Sequence, residues 1–400
     1  MSPTLPQCDD INRTHSLLEL PRQRWLKGYL RSWFLPLWMV GCGTVEPNVY
    51  QDQKNLLQYL DSKGQLRRVE NKSHWAIRRN HILQNMQRVM GSLAEPSPVA
   101  LDIQVLKTEV LPKVLRRKIT FVSEVVNGRE DRVSAYLLMP RNLSLKPISP
   151  AVLCLHQTTP IGKAEPAGLG GIEDLHYALE LARLGYVTLA PDYPGFGDYQ
   201  MDPYAQGYVS ATMKGIVNHR RAIDLLQSIP EVDPERIGVI GHSLGGHNSL
   251  FLAAFDQRVK AVVTSCGFNS FRRYEGGDLA GWSHKGYMPR IAQNYESRAA
   301  RMPFDFTEIL GSLAPRPVFI SAPLGDHNFE VAGVRDCIES ALQVYEDVFQ
   351  SPGRLVWQHP EVGHTFPDLV RQDAYKFLAR WLYQDRGLNR QESPKANPSF

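Results

Sequence analysis

The sequence predicts an α/β fold, with a mostly parallel central sheet opened by an antiparallel hairpin and helices on both faces. Three observations carry this prediction. Continuous apolar segments such as "AVLCLH", "YVTLAPD", "RIGVIGH" and "VKAVVTSCG" alternate with amphipathic helical segments, the pattern of strands buried on both faces. Two segments of alternating polarity, "VLRRKITFVSEVV" and "RVSAYLLMP", are joined around Asn127-Gly128, a strong hairpin signal. Hydrophobic residues make up 43% of 400 positions, enough for one large core.

Taken in order, the chain from Cys42 to about Pro98 reads as helical and polar. In "HWAIRRNHILQNMQRVMGSL", Trp75, Ile77, Ile82, Met86, Val89 and Met90 recur near a helical period, and Gly91 with Pro96 ends the run. Residues 43–112 are therefore expected to form a helical extension packed on the main domain. The hairpin follows, then the proline-bounded linker "PRNLSLKPISP" and the strand "AVLCLH". "IEDLHYALELARLG" reads as a helix closed by Gly185, "VSATMKGIVNHRRAIDLLQSI" as a long helix, and "GGHNSLFLAAF" as the helix after "RIGVIGH". "RPVFISAP", "VAGVRDCIESALQVYEDVF", "RLVWQH" and "DAYKFLARWLYQ" continue the alternation, so the α/β domain is expected to span 113–385, before a polar tail at 386–400. Two stretches, 157–171 and 267–307, break the rhythm. Both begin beyond the carboxyl ends of strands, where open α/β sheets bind ligands.

A formal charge of +4 is spread along the chain without a basic block or an aromatic-interleaved basic stripe, which argues against nucleic acid as a partner. The five cysteines, Cys8, Cys42, Cys154, Cys266 and Cys337, form no CxxC pair and no Cys/His cluster of ligand spacing. Neither a metal site nor a disulfide framework is expected.

Near the N-terminus, Arg22, Arg24, Lys27 and Arg31 precede an apolar stretch at 32–41 that is too short to span a bilayer as a helix. Met39-Val40-Gly41-Cys42 resembles the lipobox of bacterial lipoproteins, which would leave Cys42 as a lipidated terminus and attach the protein to a membrane. Residues 1–42 thus read either as a signal or lipoprotein segment, implying export, or as an amphipathic helix docked on a cytoplasmic domain.

The chemistry centres on Gly241-His242-Ser243-Leu244-Gly245. A serine hydroxyl attacks a carbonyl only with a base beside it and donors for the developing oxyanion. G-x-S-x-G between a predicted strand and a predicted helix is the context of a nucleophile elbow, which makes Ser243 the candidate nucleophile. The nearest of the twelve histidines, His242 and His247, are read as packing residues, because the first points away from Ser243 and the second lies one helical turn along. The base is expected in the loop after the last strand. There His364 is preferred, with His359 as a supporting residue. Asp326, after the penultimate strand, is the candidate acid, ahead of Glu330 and Glu361. Oxyanion donors are expected from the N–H of Leu244, at the head of a helix, and from Gln157 or Thr158.

With those residues in place, "GHSLGGH", Asp326, His364 and the "LCLHQ" loop resemble the α/β-hydrolase superfamily. "LARLGYVTLAPDYPGFGD" is similar to its dienelactone-hydrolase and acetyl-xylan-esterase-like branches. The resemblance covers about residues 115–385. It implies the α/β-hydrolase fold and a cofactor-free serine esterase working through an acyl-enzyme on a small-molecule or carbohydrate ester. Two departures stand out: Ser243 replaces the cysteine of dienelactone hydrolases proper, and His156-Gln157 replaces the usual His-Gly of the oxyanion loop. The resemblance makes Asp192, in "PDYPGFGD", a structural residue, and 267–307 falls where such enzymes insert a cap over the site, the alternative being a solvated, locally packed insertion. Tyr193, His156, His242 and Trp282 are candidate substrate contacts, and Arg272, Arg273, Lys285 and Arg290 among the aromatics of that insertion would suit a sugar or an anionic acyl group. The alternatives are a prolyl-oligopeptidase-like peptidase, whose elbow is similar, and a non-catalytic binding protein of the same fold.

Overall fold

A computed structural model of the chain describes residues 48–94, 99–142 and 148–383. The segment expected to be a signal, lipoprotein segment or amphipathic helix, Cys42 and the C-terminal tail lie outside the described residues.

The segment before the main sheet is only partly helical. A small antiparallel pair, β1 (Gln58–Leu60) and β2 (Leu66–Arg68), precedes the helix α1 (Lys72–Met90). Asn71 caps α1 by accepting from the N–H of His74, and Gly91 ends it at φ 99°. The strand β3 (Gln104–Leu111) then joins the main sheet, inside the stretch expected to be helical extension. Its alternation is broken by a register shift between Val105 and Lys107, and most of its side chains are exposed, so the period of a half-buried strand is weak there.

β4 (Val114–Val126) and β5 (Arg129–Pro140) form the expected hairpin, with Asn127 and Gly128 both at positive φ, as a tight two-residue turn requires. The remaining elements alternate in order: β6 (Ser149–Leu155), α2 (Tyr177–Arg183), β7 (Val187–Pro191), α3 (Ala211–Ser228), β8 (Val232–His242), α4 (Leu244–Phe255) and β9 (Val259–Ser265). After the 267–307 insertion, which contains the short α5 (Arg290–Tyr295), come α6 (Phe306–Ser312), β10 (Val318–Ser321), α7 (Val331–Gln343), β11 (Leu355–Gln358) and α8 (Asp368–Leu382).

The main sheet has nine strands in the order β11-β10-β9-β8-β6-β7-β5-β4-β3. Neighbours from β7 to β11 pair in parallel, and β5, β4 and β3 extend the sheet antiparallel. Side chains that alternate along the parallel strands feed two cores. Leu153, Val239 and Val262 pack with α1, α3, α4, α6 and α7 on one face. Val152, Ile240 and Val263 pack with α2 and α8 on the other. Because β8 and β6 lie mid-sheet, their carboxyl ends meet at the centre of one edge. Among the described residues no helix is long and apolar enough to cross a membrane.

The extension is fastened by a buried ion pair. Arg78 of α1 donates to Glu308 of α6 at 2.7 Å, both side chains fully buried, while the guanidinium stacks over the Tyr50 ring. Burial pushes the Glu308 carboxyl up to about 7, partly opposed by Arg78. Glu308→Ala leaves a buried, unpaired guanidinium and should cost about 3–5 kcal/mol of stability, read as a lower urea midpoint at unchanged m-value.

Candidate active site

The turn from β8 into α4 holds Ser243 at φ 53°, ψ −116°, a left-handed conformation rare for a residue with a Cβ. Its N–H donates to the Ser265 carbonyl at 2.8 Å, and its own carbonyl accepts from Gly246 and His247. The glycines are demanded by proximity. A Cβ at Gly245 would stand 1.9 Å from the Leu155 carbonyl oxygen, and one at Gly241 would stand 2.2 Å from the Gly245 oxygen. The strand–serine–helix geometry read from G-x-S-x-G is present, and the crossing is closer than any side chain permits.

Asp326 follows β10 and is nearly buried, and the loop after β11 carries His364 back over it. His364 Nδ1 lies 2.9 Å and 3.0 Å from the two Asp326 oxygens. Oδ1 also accepts from the N–H groups of Asn328 and Phe329. Burial alone would raise the Asp326 pKa, but these donors and His364 hold it below the usual carboxylate value. An ionised carboxylate only accepts, so Nδ1 carries a proton, and in the neutral ring the lone pair is on Nε2. Asp326, and not Glu330 or Glu361, bonds the imidazole. His359 donates from Nδ1 to the Ala322 carbonyl instead, consistent with a supporting place at the end of β11. The histidine loop is anchored from behind by Arg371 of α8, which bonds the Phe366 carbonyl at 2.9 Å and Glu180 of α2 at 2.7 Å.

Ser243 and His364 line one cavity of about 310 Å³, together with Gln157, Thr158, His247, Trp282, Tyr287, Asn328 and Phe329. That size suits a small organic ligand. Tyr274, Glu275, Trp282 and Tyr287 of the insertion form one wall. Leu244 opens α4, where first-turn N–H groups lack intrahelical acceptors. Gln157 and Thr158 face the same space from beyond β6. The Gln157 side-chain nitrogen donates to the buried Glu165 at 3.1 Å, and its carbonyl accepts from His156 Nδ1 at 2.6 Å.

Three of the expected substrate contacts lie outside the cavity lining. His156 is buried and also accepts from the Tyr193 N–H, so it fixes the loop rather than facing a ligand. Tyr193 is buried and donates its hydroxyl to the Gly286 carbonyl. His242 bonds Ser265 Oγ at 3.1 Å and packs on the His364 ring. Burial drives its pKa down to about 3, so it stays neutral. Trp282 does line the cavity. Three arginines of the insertion turn elsewhere: Arg273 pairs with Asp336, Arg272 bonds the Gln51 carbonyl and Arg290 bonds the Arg88 carbonyl, while Lys285 is not among the residues that line the cavity. Asp192 is fully buried and accepts from the Lys163 N–H, Lys163 Nζ and the Asp198 N–H, as a structural residue should.

His247 packs, as expected: it is buried, its ring meets those of Phe251, Trp282 and Tyr287, its Nδ1 meets the Gly267 carbonyl at 3.1 Å, and burial lowers its pKa to about 3. It also borders the cavity, a place that sequence reasoning missed along with those of Asn328 and Phe329, which follow Asp326 in the same loop.

Among the described residues, the group of possible metal-ligand atoms is Cys266, Asp326 and His364, within 4.8 Å of one another. Those atoms are already engaged: the carboxylate holds the imidazole, and the thiol meets the Thr365 carbonyl at 3.3 Å.

A family model described as glucuronyl esterase of fungi matches residues 205–348. A Bacillus subtilis protein, a hydrolase by name, is 28% identical over 317 residues, covering 74% of this chain and 97% of that protein. The solved glucuronoyl esterase of Solibacter usitatus superposes with a TM-score of 0.66 at 20% identity, covering 84% of this chain and 99% of the other. Acetyl xylan esterase 1 of a Thermoanaerobacterium species gives a TM-score of 0.50 at 19% identity, over 76% and 94%. These likenesses establish the α/β-hydrolase fold.

Adding a Cβ at Gly245 drives α4 off β6. Gly245→Ala should therefore destabilise by more than the roughly 1–3 kcal/mol of ordinary overpacking and remove activity, checked by thermal unfolding and an ester assay on the soluble fraction.

Proposed function

We propose that this α/β-hydrolase is a serine ester hydrolase acting on esters of carbohydrates or similar neutral molecules through an acyl-enzyme on Ser243. The observation that carries the reading is that a left-handed Ser243 and an Asp326-held His364 border one cavity.

In the first half-reaction the Ser243 oxygen bonds to the ester carbonyl carbon, and its proton passes to His364 Nε2. Asp326 stabilises the imidazolium without taking the proton. The carbonyl oxygen becomes an oxyanion facing the N–H of Leu244 and that of Gln157 or Thr158. Each such donor contributes about 2.7–4 kcal/mol to the transition state. The C–O bond then breaks, and the alcohol leaves with the proton from His364. Water repeats the sequence in reverse and releases the acid.

The substrate class rests on the lining and on the neighbours. Trp282, Tyr287, Tyr274 and Phe329 offer flat apolar faces, while Gln157, Thr158 and Asn328 offer polar groups, a combination suited to sugar rings. The family model and structural neighbours named for glucuronoyl and acetyl xylan esters support a carbohydrate ester. Among the described residues no lysine or arginine lines the cavity, and Glu275 is on its wall, which favours an uncharged group beside Ser243.

A fluorophosphonate probe should label the wild type and fail to label Ser243→Ala, with His364→Ala labelled far more slowly. Equal labelling of all three would refute the assignment. Short neutral p-nitrophenyl esters should be cleaved with kcat/KM roughly tenfold or more above matched succinyl esters, because like charges in a confined site are costly. Prolyl amides should not be cleaved.

A further inference from the structure

β8 and β9 lie side by side, and each is followed by a non-glycine residue in the left-handed region: Ser243 at φ 53° and Cys266 at φ 48°. Glycine would adopt that conformation freely, so a side chain retained there at a conformational cost points to a use for the side chain. For Ser243 the use is the hydroxyl. Cys266 makes an analogous set of contacts one strand away.

Its N–H donates to the Ser321 carbonyl at 2.9 Å, at the end of the strand that leads to Asp326. Its Sγ donates to the Thr365 carbonyl at 3.3 Å, directly after His364. Sγ, an Asp326 carboxylate oxygen and a His364 ring nitrogen lie within 4.8 Å of one another. From the other side Ser265 Oγ approaches Sγ at 3.8 Å and bonds His242 Nδ1 at 3.1 Å, and the His242 ring packs on His364 with centroids 5.0 Å apart. The thiol is buried and free of any disulfide. Burial, then the Asp326 charge, push its pKa well above the ordinary thiol value, so the sulfur remains a protonated donor.

We propose that Cys266 is a positioning residue for the Asp326–His364 pair: its left-handed backbone sets a thiol against the acid and the histidine loop, fixing the imidazole with Nε2 turned to the cavity. The proposal rests on the acyl-enzyme reading above. Cys266 is not among the cavity-lining residues, so its loss should slow the chemical step and leave substrate binding alone.

The test is steady-state kinetics on a short neutral p-nitrophenyl ester, with thermal unfolding in parallel, for the wild type, Cys266→Ser, Cys266→Ala and Cys266→Gly. Serine keeps a short donor. Alanine removes the donor, and glycine removes it while relieving the backbone, so the glycine variant guards against a simple folding defect. Alanine and glycine should each lower kcat about tenfold, well short of the ~10²-fold that a 1 Å misplacement costs. KM should stay within about twofold of the wild type. Serine should recover most of kcat, and kcat should not follow melting temperature across the series. Alanine and glycine variants as fast as an active wild type, or a serine variant as slow as alanine, would overturn the role of the thiol while leaving the acyl-enzyme reading intact. A wild type that cleaves no ester would overturn both.

Discussion

The first turn of α4 approaches the ends of β6 and β8 so closely that there is no room for a β-carbon on Gly245, with the Leu155 carbonyl oxygen only 1.9 Å from where one would sit. Much of the site follows from that crossing. It bends the chain sharply at Ser243, forces the left-handed backbone there and points the head of α4 at the space beyond β6. The neighbouring β6 ends in the loop that supplies Gln157 and Thr158, so nucleophile and candidate oxyanion donors arise from two adjacent mid-sheet strands. The sheet around them is buried on both faces, and a rigid frame of that kind can hold strain at one residue.

The acid and base come from farther along the chain, and loops set their geometry. Asp326 is held by the backbone N–H groups of Asn328 and Phe329, and the His364 loop by Arg371 on one side and Cys266 on the other. Charge is distributed accordingly. Near the reacting atoms, burial keeps His242 and His247 neutral, while Asp326 stays ionised because its donors outweigh its burial. Asp326 is thus the fixed negative charge beside His364, as an imidazolium formed in the reaction needs.

The elbow was legible in the sequence because its signals are local: an apolar strand, G-x-S-x-G and a helix follow one another without a gap. The hairpin was legible for the same reason, since Asn127-Gly128 dictates its turn. Asp326 and His364 could be chosen among rivals because α/β connectivity orders the strands that precede them. What stayed hidden depends on contacts between distant segments. β3 escaped because a bulge breaks its alternation and its faces are exposed. His156, Tyr193 and His242 were expected at the substrate and instead brace the site, because their buried rings spend their hydrogen bonds on backbone and on Ser265. Cys266 carries no local signal, since its contacts with Ser321, Thr365 and the Asp326–His364 pair form only between distant segments.

The insertion at 267–307 gives the site its chemical character. It contributes aromatic faces and Glu275 to the cavity wall while Arg273 and Arg290 bond elsewhere, so among the described residues the lining beside Ser243 is polar and aromatic, with no lysine or arginine. The central claim is that ester cleavage passes through an acyl group on Ser243. It is tested most directly by acid-quenching the protein during turnover of a slow ester and mapping the added mass by peptide mass spectrometry. One acyl group is expected, on the peptide that contains Ser243. Ester turnover with no adduct, or with the acyl group on another residue, would contradict it.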